Sequence, residues 1–267
     1  MMKGMHAPLL GPHECPPVVG VCIAGAGRLC FVCEHAGQAI PERLDGLGLQ
    51  ETALNSHIAW DIGAYAVAEA LSRRFDAPLA AQVYSRLVCD CNRLAEDPDC
   101  IPERSEHTTI PGNLALAPVA RQARIDAIWT PFQDFVRQLL DARQAQGRLE
   151  ALIAVHSFTP KYEDVVREMH CGLLFREDRR LADAVGAYLR QVPGLIVAEN
   201  APYSLFELQD YTIREHAERR GLPYLLVEIR QDLISTATGQ QDWARRLGDA
   251  IEGALATLSE KHNPVSR

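Results

Sequence analysis

Apolar and polar residues along the chain fall into blocks that predict alternating strands and helices. Leu29–Cys33 is an uninterrupted apolar run that reads as a buried strand. It runs directly into Glu34-His35-Ala36-Gly37-Gln38, and Ile40-Pro41 closes the turn. Residues 55–75 place Ile58, Ile62, Tyr65, Ala66 and Leu71 at helical spacing, which sets His57 and Asp61 on one face near the helix start. Leu79–Val83 and Arg86–Cys89 read as β-like. Residues 94–117, punctuated by Pro98, Pro102, Pro111 and Gly112, read as a long polar loop able to cover a site. Ile125, Ile128, Phe132, Phe135, Val136 and Leu139 mark a helix over 118–147 that Gly147 stops.

The second half repeats this alternation. Leu152–Val155 is a short apolar strand that ends in His156-Ser157. His170–Phe175 is a further strand, 179–191 a helix, and Gly194–Ala198 a strand ending at Glu199-Asn200, before the loop Ala201-Pro202-Tyr203-Ser204. Tyr211-Thr212-Ile213-Arg214 opens a helix that Gly221 stops. Tyr224–Ile229 is a strand with Glu228 near its end, and 239–258 forms a closing amphipathic helix. Such alternation predicts an α/β fold, a largely parallel sheet with helices on both faces. Residues 1–28 read as an irregular leader and 29–260 as one catalytic α/β domain.

Composition narrows the function. Of 267 residues, 47% are apolar, enough for a sizeable core, and 23% are charged. The net charge of -8, with no lysine-arginine run, argues against a nucleic-acid partner. No apolar stretch reaches the roughly 18 residues of a membrane span, and the start lacks the pattern of a secretory signal. Eight cysteines without an export signal read as free thiols in a reducing cytoplasm. Cys30 and Cys33 face opposite sides of one strand, so they read as packing thiols rather than ligands of one metal. The glycines of residues 20–28 precede a strand instead of following one, which removes the dinucleotide-binding reading.

The chemistry gathers at strand ends: His35, Arg86, Asp90, Asn92, Arg93, His156 and Glu228. Within Tyr84–Arg93, two guanidiniums bracket a carboxylate and an amide, a plausible cradle for an acidic substrate. The other account of that stretch is a buried aspartate paired with an arginine. Two histidines and a carboxylate, with a position left for water, are the inventory of a catalytic zinc site, and a further carboxylate would take the water's proton. These residues are scattered, so spacing alone leaves other readings open. One is a non-catalytic binder of small acidic metabolites. A thiol enzyme using Cys89 or Cys91 is another.

Several of these segments resemble the N-formylglutamate amidohydrolase family. They are Glu34-His35-Ala36-Gly37 with Ile40-Pro41, His57-Ile58-Ala59-Trp60-Asp61, Tyr84–Arg93, His156-Ser157-Phe158-Thr159-Pro160 and Glu228-Ile229-Arg230-Gln231-Asp232-Leu233. The likeness runs in the same order from about residue 29 to 250. It implies cleavage of N-formyl-L-glutamate to formate and glutamate, the last step of one histidine-degradation route, or deacylation of a similar small acidic N-acyl amino acid. It also implies a mixed, largely parallel sheet similar to that of zinc carboxypeptidases and aspartoacylase, holding one zinc ion. His35 and His156 match the first and last zinc ligands of that wider group. The position of its glutamate ligand is held by Gln38, a poor zinc ligand, so the resemblance points to Asp61 as third ligand, with Glu34 second. Asp90-x-Asn92-Arg93 matches the segment that holds the substrate carboxylate. Arg86 and Arg214 are candidates for a second carboxylate, and Arg86 also for the developing oxyanion. Glu228 matches the glutamate that activates water, and Asn200 and Tyr203 are candidate pocket residues.

Overall fold

The computed structural model describes residues 8–206 and 210–262. Eleven strands occur among them: β1 (Val18–Val21), β2 (Leu29–Cys33), β3 (Leu79–Gln82), β4 (Arg104–Ser105), β5 (Thr108–Thr109), β6 (Ala151–Phe158), β7 (Lys161–Tyr162), β8 (Val165–Val166), β9 (Cys171–Leu174), β10 (Val197–Glu199) and β11 (Tyr224–Arg230). Seven of them form one sheet in the order β1-β3-β2-β6-β11-β9-β10. Its centre, β3-β2-β6-β11, is parallel. At one edge β1 runs antiparallel to β3, and at the other β9 runs antiparallel to β11. Every residue of β2 and β6 is buried, which is why both read as continuous apolar runs rather than alternating ones. The edge strand β1 lies within the stretch read as a leader, of which residues 1–7 fall outside the described part.

Among the described residues six α-helices accompany the sheet: α1 (Glu51–Leu54), α2 (Ala64–Arg74), α3 (Pro118–Arg124), α4 (Thr130–Ala145), α5 (Arg180–Leu189) and α6 (Ala237–His262). α6 packs between α2 and α5 on one face, while α4 covers β1 and β3 on the other. Among the described residues no helix is long and apolar enough to cross a membrane.

Several elements differ from the sequence expectation, each for a local reason. The helix expected over 55–75 begins only at Ala64. Gly63 before it is left-handed (φ 79°), and a Cβ there would lie 2.1 Å from the Ile234 carbonyl oxygen. His57 and Asp61 therefore sit on turns, not on one helical face. The helix expected over 118–147 is broken by a wide turn at Ile125–Trp129, just ahead of Pro131, whose ring nitrogen has no hydrogen to donate to the preceding turn. Arg86–Cys89 forms a turn rather than a strand, and only Tyr84 bridges to Ala39 there. The helix expected after Tyr211 is a wide turn over Ile213–Ala217, ending at left-handed Gly221 (φ 63°).

Candidate active site

Parallel strands expose their carboxyl ends along one edge, where loops can converge on a ligand. Here that edge gathers side chains from distant parts of the chain around a cavity of about 320 Å³. His35 follows β2, Asp61 precedes α2, Arg86, Asp90, Asn92 and Arg93 follow β3, His156 lies on β6 and Glu228 on β11; all line the cavity. The register sets Glu228 directly beside His156. The loop 94–117 supplies Asp99, Pro102, Arg104, Ser105 and Glu106 to its wall. That loop is tied down by buried Arg124, which donates to the Val88 carbonyl (3.3 Å), Asn113 Oδ1 (2.6 Å) and the Gly112 carbonyl (2.8 Å).

The two imidazoles share one arrangement. His156 Nδ1 lies 2.8 Å and His35 Nδ1 3.4 Å from the same oxygen, Asp61 Oδ2. Each ring's far nitrogen faces a buried carboxylate: His35 Nε2 lies 2.8 Å from Asp90 Oδ1, and His156 Nε2 lies 3.0 Å from Glu34 Oε2. The second of these contacts is close enough for an ion pair but off the direction of a hydrogen bond. Two Nδ1 atoms and one carboxylate oxygen thus converge, and their ligand atoms lie within 4.8 Å of one another. His35 Nδ1 is buried with no hydrogen-bond partner. A pair of imidazoles and a carboxylate is a donor set that suits zinc, and carboxylates behind the far nitrogens are the usual means of fixing ligand rings. The residues present fit the metal.

Electrostatics bind the cluster together. Burial works against the charge on both histidines, yet Glu34 and Asp61 hold His156 well above its ordinary value, and Asp90 and Asp61 raise His35 against Arg86. Burial likewise opposes the charge on Asp90, but His35 and Arg86 hold it well below the usual carboxylate range. Arg86 donates to Asp90 Oδ2 (3.0 Å) and lies 3.5 Å from Asp61 Oδ1. Glu228 behaves oppositely. Burial pushes its carboxyl up to about 7, Asp61 adding to the effect while His156, His35 and Arg86 pull against it. Its Oε2 is buried with no hydrogen-bond partner.

Of the other candidates, Arg93 lines the cavity and donates to the Asn92 carbonyl (3.0 Å), with no carboxylate in ion-pair range among the described residues. Asn92 is held by its neighbours: its side-chain amide donates to Asp210 Oδ2 (2.7 Å) and its oxygen accepts from the Thr212 amide (3.0 Å). Tyr203 lines the cavity, and its hydroxyl accepts from Arg167 (3.2 Å). Asn200 does not line it; its side-chain oxygen accepts from the Phe175 amide (3.0 Å). Arg214 belongs to a separate cleft with Arg176, Glu215 and Glu218. Gln38 is exposed on the turn after β2, outside the cavity, and the carboxylate that converges with the two imidazoles is that of Asp61. Glu34 stands behind His156 instead of beside its Nδ1.

Cys89 and Cys91 are buried outside the cavity lining. A bond to Cys100 and burial hold the Cys89 thiol well up, and burial, with Asp90 adding to it, does so for Cys91, which removes the thiol reading. Sequence reasoning missed Leu174, Leu226, Asp210 and Glu106 in the lining. The two-residue step from Leu226 to Glu228 was the available signal for Leu226, since it puts both side chains on one strand face.

Similar structures exist. A gene product of Agrobacterium tumefaciens has a TM-score of 0.91 at 40% identity, with 94% of this chain and 100% of that one covered. The N-formylglutamate amidohydrolase of Ralstonia eutropha JMP134 shares the fold with a TM-score of 0.62 at 21% identity, covering 91% and 98%. Comparison with curated proteins finds no match. The enzyme class follows from a family model that matches most of the chain: this is a hydrolase of linear amide C–N bonds. Residues 27–235 match the N-formylglutamate amidohydrolase family, and the chain belongs to it.

Proposed function

We propose that the chain is a zinc-dependent amidohydrolase that cleaves an acidic N-acyl amino acid, with N-formyl-L-glutamate as the reference substrate, to formate and glutamate. The observation that carries this reading is the convergence of His35 Nδ1 and His156 Nδ1 on one oxygen of Asp61, beside a glutamate whose carboxyl is pushed to about 7. His35, Asp61 and His156 would hold the metal, which when bound supplies Lewis acidity toward the amide carbonyl and acidifies water.

The chain's own groups do the rest. Glu228 takes a proton from the attacking water as its oxygen bonds to the formyl carbon. It returns a proton to the nitrogen as the C–N bond breaks, so that formate and the free amine leave. A carboxyl near neutrality serves both directions of that transfer. Arg93 has donors to spare and takes a substrate carboxylate, and Asn92 holds the loop that presents it. Arg86, already shared between Asp61 and Asp90, keeps both carboxylates charged and adds positive potential where the oxyanion develops. A substrate anchored at its carboxylate arrives with the short amide already aligned. Eight free thiols support a reducing cytoplasm as the working compartment, and histidine degradation as the setting follows from the same substrate.

The test combines metal content with turnover. Protein prepared without chelator should carry about one zinc per chain and release formate from N-formyl-L-glutamate, and metal removal should abolish release. Glu228→Gln should keep the zinc while kcat falls by about 10²–10⁴. A protein that binds no zinc and turns over nothing would sink the reading.

A further inference from the structure

Across the sheet the cavity residues fall in a fixed spatial order. Arg86, Asp90 and Arg93 follow β3, His35 follows β2, His156 lies on β6, Glu228 on β11, and β9 lies beyond. A linear substrate along this row has its carboxylate over the arginines and its amide over His35, Asp61 and His156. Its acyl end then points toward β11 and β9.

There the lining changes from charged to apolar. Leu226 precedes Glu228 by two residues and shares its strand face. The register sets Leu174 opposite Leu226, and Gly172 opposite Glu228. On the other side, Ala154 and His156 flank the same two positions. Leu174 and Leu226 both line the cavity while being only 0% and 3% exposed, so each presents little more than one apolar surface to it. Beside Glu228, outside the cavity lining, the chain passes close over β9. A Cβ on Gly172 would lie 2.0 Å from the carbonyl oxygen of Ala201, so the 201 backbone sits directly on the strand at that point.

We propose that Leu174 and Leu226 form an apolar stop that measures the acyl group. The site then takes acidic amino acids bearing an acyl group of one or two carbons, and excludes longer or charged ones. This assignment rests on the amidohydrolase reading and adds the substrate's acyl end to it. Neither leucine touches the reacting atoms through a polar group; their effect is on which acyl chain fits.

The experiment uses N-formyl-, N-acetyl- and N-butanoyl-L-glutamate. Calorimetry on metal-free protein reads binding, and kcat/KM on zinc-loaded protein reads turnover. Wild type should favour formyl over butanoyl by about 100-fold, since two carbons of butanoyl exceed the stop and each costs roughly tenfold or more. Leu226→Ala and Leu174→Ala should each raise the butanoyl-to-formyl ratio by about tenfold or more. Leu226→Val, a smaller change in a packed row, should move it the same way by less and guards against misfolding of the alanine variants. Turnover with an unchanged chain-length ratio in folded variants overturns the stop and leaves the hydrolase intact. A binding preference that shifts as expected with no turnover of any substrate keeps the stop and sinks zinc hydrolysis. Absence of both binding and turnover sinks the two together.

Discussion

Glu34→Gln is the sharpest test of how the two imidazoles are held. Glu34 is fully buried, and its Oε2 stands 3.0 Å from His156 Nε2, on the side of the ring away from Asp61. If this carboxylate fixes the tautomer that leaves Nδ1 free, then removing its charge weakens the metal site without removing a ligand. Loss of such a backing carboxylate costs about 10–100-fold in metal affinity, or about 1.4–2.8 kcal/mol. Gln keeps the volume and can still accept from Nε2, so it should sit near the tenfold end. Glu34→Ala leaves Nε2 facing a void and should approach 100-fold. Zinc affinity is measured by competition with a chromophoric chelator at fixed pH, a readout independent of turnover. Wild-type affinity in both variants would refute the backing role. A fall beyond about 10⁴-fold would instead make Glu34 a direct ligand, since it exceeds what a second carboxylate contributes.

Three further outcomes follow from the same geometry. Arg93→Met should raise KM for N-formyl-L-glutamate by about tenfold to 100-fold, the range for losing one charge-assisted contact to a carboxylate, with kcat less affected. Arg124→Met should lower stability by about 2–4 kcal/mol in urea unfolding, because Asn113 Oδ1 and the carbonyls of Val88 and Gly112 each lose a buried donor. His216, buried with Nε2 2.7 Å from Gln133 Oε1, is pushed down to about 4 by burial and by Arg220. Its folded form takes up a proton less readily than its unfolded form, so its contribution is complete above about pH 6.5 and is lost as pH falls from there to 4. That loss reaches about 3 kcal/mol, and urea midpoints of wild type and His216→Gln across this window should converge accordingly, whereas parallel curves would remove the assignment.

Much of this architecture was legible because strands buried on both faces announce themselves. β2 and β6 read as apolar runs, and each ran into a histidine that the structure places at the site. The alternation of blocks gave the largely parallel centre, but not the reversal of β9, since pairing direction leaves no local mark on a short apolar strand. Asp61 shows a different limit. Its sequence spacing from His57 suited a helix, and the approach of Ile234 that forces Gly63 out of that helix comes from residues far along the chain. Arg214 and Asn200 lie outside the cavity lining for a related reason. Residue type identified what they could bind, but only the turn geometry after Tyr211 and before Pro202 decided where they point. Glu34 lay beside His35 in sequence yet serves His156, a partner on the neighbouring strand.

The hydrogen bond between Asp61 and His156 spans 95 residues, and that between Asn92 and Asp210 spans 118. Contacts of such long separation form late, after the loops between them have been closed. A nascent chain still short of β11 already holds His35, Asp61 and His156, but it lacks the strand that carries Glu228 and seats beside β6, so the donor set precedes the sheet that fixes it. Once the sheet is complete, a metal held by His35, Asp61 and His156 would count toward the fold as a whole, by about 2.7 kcal/mol at a free concentration one hundred times Kd. Depletion of such a metal would then weaken the entire molecule, and no fragment lacking β11 should retain the full affinity.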